Sequence, residues 1–137
     1  MSTRELFRHP LLTVTLEADG RLARVRRSSL SMTSAEFAQV DPIVAGLLPM
    51  YRRPKMALLM DSRDAPMVFD PYLERAMADS FRRLSQGFAA VGILLSSSLG
   101  RRQTQRIGAR DQLSFTIFSS EDEAIQELLA AAPRAAP

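Results

Sequence analysis

A carboxylate, a hydroxyl, a guanidinium and a second carboxylate follow one another at Asp61, Ser62, Arg63 and Asp64, where the apolar run KMALLMD ends. Ser96, Ser97 and Ser98 follow a second apolar run, FAAVGILL, and Ser119 and Ser120 follow a third, LSFTIF. If these runs are strands of an open α/β sheet, the polar residues collect at their carboxyl ends, where such sheets bind ligands. A helix starting after Ser98 would aim its amino end there, with Arg101 and Arg102 close by. Backbone N–H groups plus arginine can hold a phosphate or a carboxylate. The candidate regulatory or ligand-facing residues are therefore Asp61, Ser62, Arg63 and Asp64, with Ser96, Ser98 and Arg101. Two plainer uses compete: serines routinely cap helices, and Asp61 and Arg63 can satisfy loop backbone or pair with each other.

Other chemistries find no support. The chain has no cysteine, which excludes disulfides and thiolate metal ligands. Its single histidine, His9, lies near the start, so no metal site is expected. A serine nucleophile would lack a general base. The glycine-rich phosphate loop is absent, and Lys55 sits at the wrong end of its strand. A receiver-type reading of Asp61 needs an acidic pair after the first strand and a lysine after the last. Glu17 and Asp19 fall in a hairpin instead, and Phe118-Ser119 ends the last strand. Asp70 and Glu74 match the acidic residues expected in a first helical turn. No cofactor and no catalytic residue are expected.

Arginine dominates the basic residues: of 18, only Lys55 is lysine, yet net charge is just +3. Arg102, Arg106 and Arg110 repeat at i, i+4 and i+8, one helix face that could dock an acidic partner or lie solvated. Arg24 and Arg26 share a strand face. Aromatic content is 7%, with none of the aromatic–basic interleaving of single-strand binders, so nucleic acid is not the expected partner. Met67, Val68 and Phe69, like Met50 and Tyr51, are read as core residues, with a partner-binding apolar patch as the other use.

These residues must be positioned by recognisable elements. Leu12, Val14 and Leu16 alternate with polar residues, then Ala18-Asp19-Gly20 turns the chain into a strand through Leu22, Ala23 and Val25. Thr33 and Glu36 form a capping box for a helix carrying Phe37, Val40 and Val44, with Pro42 kinking or restarting it. KMALLMD and FAAVGILL suit parallel strands buried on both faces. Asp70-Pro71 opens a second helix, which Gly87 ends. LGRRQTQRIGARDQL reads as a polar helix, LSFTIF as the last strand, an interior one beside KMALLMD and FAAVGILL, and Ser120 with Glu123 as a capping box for the last helix.

The order is β-β-α-β-α-β-α-β-α. It predicts an α/β fold with a mainly parallel five-stranded sheet, an antiparallel amino-terminal edge strand and helices on both faces. Residues 1–10 read as a flexible arm, 11–132 as one domain and 133–137 as a frayed tail. No run approaches the about 18 residues of a membrane span, and the start does not read as a signal peptide. A cytoplasmic protein without membrane insertion is the expectation.

The succession LLMDSRDAP, FDPYLERAM, GFAAVGILLSSSLGRRQTQR and FTIFSSEDEAIQELL resembles the STAS-like domain over roughly residues 11–130. The look-alikes are small bacterial proteins related to anti-sigma-factor antagonists, with a distant likeness to lipid-binding CRAL-TRIO domains. The resemblance implies a non-catalytic regulatory module whose partner is another protein, a second copy of the chain included. It implies, as the alternative, a small-anion or lipid-binding sensor using the strand carboxyl ends. In the antagonist branch a serine near one strand end is phosphorylated to switch binding off. Ser62 is the nearest position, but the longer loop RDAPMVFDP departs from that pattern.

Overall fold

Thr3–Arg8 (β1) is a strand, so the segment 1–10 expected to be a flexible arm instead provides the sheet edge. The computed structural model describes residues 2–132, and the tail expected at 133–137 lies outside them. β1 pairs antiparallel with β2 (Leu12–Glu17), which pairs antiparallel with β3 (Leu22–Arg27). β4 (Ala57–Asp61), β5 (Ala90–Leu94) and β6 (Thr116–Phe118) then add in parallel, giving six strands in the order β1-β2-β3-β4-β5-β6 rather than five. β2, expected at the edge, is flanked on both sides. β6, expected in the interior, is a three-residue edge strand.

The hairpin turn lies where the Asp-Gly pair put it. Ala18, Asp19 and Gly20 all take positive φ (52°, 57° and 84°), and Gly20 N–H donates to Glu17 O at 3.1 Å. Helix α1 (Ser34–Leu47) starts at the full Thr33–Glu36 capping box and runs through Pro42 without restarting. Asp70 accepts from Tyr72 N–H to open α2 (Pro71–Leu84). Ser97 caps α3 (Ser98–Asp111), and Ser120 caps α4 (Glu121–Ala131) by accepting from Glu123 N–H.

Because strand order never reverses, right-handed crossovers must place α1, α2 and α3 on one face. There Val14, Val25 and Leu58 pack against Val40, Val44 and Leu84. α4 alone covers the opposite face, over Leu22, Leu59, Leu94 and Phe118. The α4 layer is tight at Gly92: a Cβ there would stand 2.7 Å from Phe118 Cε2, so only glycine allows that close approach. α4 reaches across β3–β6, and the β1–β3 part of this face carries Thr13, Thr15, Glu17 and Arg24.

Candidate functional site

The carboxyl edge of the parallel strands holds two structures that include several of the residues singled out above. The first is an ion cluster. Asp61, the last residue of β4, is fully buried. Its Oδ2 accepts from Arg24 Nη1 at 2.9 Å and from Arg63 Nη2 at 2.7 Å, and its Oδ1 accepts from Arg63 Nε at 2.9 Å. Both arginines also reach Glu121 Oε2 in the first turn of α4, each at 2.7 Å. Arg24 forks onto Glu17 through Nε (2.6 Å) and Nη2 (3.0 Å). Three carboxylates against two guanidiniums leave one net negative charge.

Burial alone would push the Asp61 carboxyl up, but hydrogen bonds from Arg63 and Arg24 outweigh it and hold the group below the usual carboxylate range. The Arg24 bond, chiefly, does the same for Glu121. Burial opposes the charge on Arg24, yet Glu17, Glu121 and Asp61 together hold its pKa above the ordinary arginine value. Acids so firmly ionised are poor proton donors or acceptors near neutral pH. Physically the cluster is a clasp joining the β2–β3 hairpin, β4, the loop after β4 and the start of α4. Of its five members, sequence reasoning placed Asp61 and Arg63 together at a strand end but missed Glu17, Arg24 and Glu121.

The second structure is the loop 62–70 that the clasp anchors. Ser62 N–H donates to Leu94 O at 2.9 Å, and Ser96 Oγ donates to Arg63 O at 2.7 Å. Further on, Gln103 Nε2 donates to Val68 O at 2.6 Å. Ser62 is half-buried, and the exposed Asp64 pairs with Arg26 at 3.1 Å. Met67 and Val68, expected in the core, are half-buried and line a cavity beneath the loop. Phe69 does not: it is 84% exposed, as is Tyr72 at the start of α2, and Leu99 at the start of α3 is also exposed. Met50 and Tyr51, expected in the core, are exposed too, at the opposite end of the parallel strands.

The remaining candidates disperse. Ser97 Oγ accepts from Gly100 N–H at 3.0 Å as the cap of α3, Ser98 is exposed, and the Arg101 guanidinium donates to the Ser119 hydroxyl. On the α3 face, Arg106 and Arg110 both turn to Glu74 of α2, at 3.3 and 2.9 Å, leaving Arg102 exposed.

No family model matches the chain, and no curated protein matches it. Among solved structures, an anti-sigma factor antagonist from Mycobacterium paratuberculosis is similar over 93% of this chain and 94% of its own, with a TM-score of 0.57 and 18% identity. An uncharacterized DUF3478-family protein with a SpoIIAA-like fold, from Shewanella loihica PV-4, is similar over 93% and 96%, with a TM-score of 0.59 and 14% identity. The fold is STAS-like, as the sequence resemblance anticipated.

Proposed function

We propose that this chain is a non-catalytic protein-interaction module of the STAS-like type, docking its partner on the carboxyl-edge surface around residues 62–72. The observation that carries this reading is the pair Phe69 and Tyr72, each 84% exposed beside a loop tied down at Arg63 and Val68. Exposed aromatics on a preorganised backbone are the usual anchors of protein interfaces. The solved antagonist adds the precedent of a regulatory protein on this fold. The carboxylates of the edge, held ionised by arginine, favour binding over acid–base chemistry.

The test is quantitative affinity for the protein that co-purifies with the chain from its source cells. The Phe69→Ser, Tyr72→Ser double variant is expected to bind it about thirtyfold more weakly, the factor for losing an anchor of about 2 kcal/mol. Unchanged affinity in a folded double variant would contradict the reading.

A sensor for a small anion or lipid is the second reading. The observation in its favour is a cavity of about 250 Å³ beneath the same loop.

A further inference from the structure

That cavity lies between the sheet and helices α1, α2 and α3. Its walls are apolar, with Phe37, Met60, Met77, Phe81, Ile93 and Phe115 among them. Ser62, Arg63 and Ser96 line its carboxyl-edge side. Two acids and one unpaired base also line it. Asp41 already accepts from the Ser80 hydroxyl and from Arg83 at 3.3 Å. Glu74 already accepts from Arg106 and Arg110. Arg27, the last residue of β3, is different. Its Nε is buried with no hydrogen-bond partner, and among the described residues no carboxylate pairs with its guanidinium. Burial, with no partner to offset it, pulls its pKa below the ordinary arginine value. A buried donor left unsatisfied is costly, and the residue that carries it lines the cavity.

An apolar cavity of about 150 Å³ holds benzene, so this one has room for roughly ten heavy atoms. We propose that the cavity binds an amphiphilic anion, an aliphatic carboxylate of about six to eight carbons in all, whose head group pairs with Arg27. The proposal rests on the sensor reading and gives it a ligand chemistry. The chain fills the space among the methionines and phenylalanines, and the carboxylate supplies the charge-assisted hydrogen bonds that Arg27 lacks.

Methionine methyl groups report the site directly. Met32, Met60, Met67 and Met77 line the cavity, and Met50 and Met56 do not. Protein labelled with carbon-13 at the methionine methyls is titrated with octanoate and, separately, with 1-octanol. Octanoate is expected to shift the four cavity methyls saturably, leave Met50 and Met56 in place, and bind about ten- to a hundredfold more tightly than octanol. Arg27→Gln should abolish that preference, and Arg27→Lys should restore part of it. The unmoved Met50 and Met56 signals certify that the variants fold, and the octanoate–octanol comparison needs no variant. Octanol binding as tightly as octanoate would overturn the anion proposal and leave the sensor reading standing. No response to either would overturn both and leave the docking reading untouched.

Discussion

Asp61 places a negative charge where none of the residue reaches solvent, and the fold tolerates it because two guanidiniums meet it there. Removing one partner of a buried ion pair costs more than the pair itself contributes. Asp61→Asn keeps the volume but strips a carboxylate from Arg24 and Arg63, and it is expected to lower stability by about 3 kcal/mol, read from the urea midpoint. The same cluster sets the acid limit. Asp61 and Glu121 have folded pKa values below their unfolded ones. Their contribution is therefore complete above the ordinary carboxylate values of about 3.9 to 4.3 and is lost as pH falls through the depressed ones. Urea midpoints should hold from neutral pH down to about pH 4.5 and drop below it, less steeply in Asp61→Asn. An equal drop in both proteins would remove the clasp from the account. Two of the five members of this cluster were readable in advance. Asp61 and Arg63 are near neighbours in sequence, whereas Arg24 and Glu121 meet across 97 positions that only the sheet order brings together. Glu17 and Arg24 left a fainter trace: once the turn at 18–21 pairs Glu17 with Leu22, Arg24 is the diagonal neighbour of Glu17 on the same face.

At the level of elements, arginine closes helices as well as carrying charge. Arg53 is buried, and its Nε donates to Leu48 O at 2.7 Å while Nη1 donates to Arg83 O and Gln86 O, each at 3.1 Å. One side chain thus ties together carbonyls at the carboxyl ends of both α1 and α2, while its guanidinium lies 5.1 Å from the Phe88 ring centroid. Arg21 does the same for α4, donating to Leu129 O at 2.8 Å. Arg53→Met is expected to cost about 3 kcal/mol by leaving buried carbonyls unpaired, seen as a lower melting temperature. A neutral outcome would mean that water replaces the guanidinium. Elements with a local chemical marker were legible: the Asp-Gly hairpin, the Thr33 capping box and the Asp70-Pro71 helix start. β1 was not, because TRELFR lacks the alternation of a half-buried strand and is defined only by its register on β2. LSFTIF looked like an interior strand because it is apolar. Its first residues are instead used by the Phe81–Phe115 edge-to-face pair, at 5.6 Å, and by Phe115 packing on Gly108.

The whole molecule is lopsided. Three helices enclose a cavity on one face of the sheet, and a single helix, locked by the clasp, covers part of the other. The carboxyl edge, where Phe69 and Tyr72 stand exposed, borders both. Alternation of strands and helices made this α/β layout readable. The outward turn of Phe69 was not, since nothing in MVF distinguishes the two residues that go in from the one that stays out. The docking reading therefore requires the carboxyl edge to be the working face. A photo-crosslinking amino acid placed at position 69, and in a parallel sample at position 51, tests it directly in the source cells. Tyr51 is the control, 79% exposed at the other end of the parallel strands. One discrete protein adduct is expected from position 69 and none from position 51; adducts from position 51 alone, or indistinguishable adducts from both, would contradict docking at the carboxyl edge.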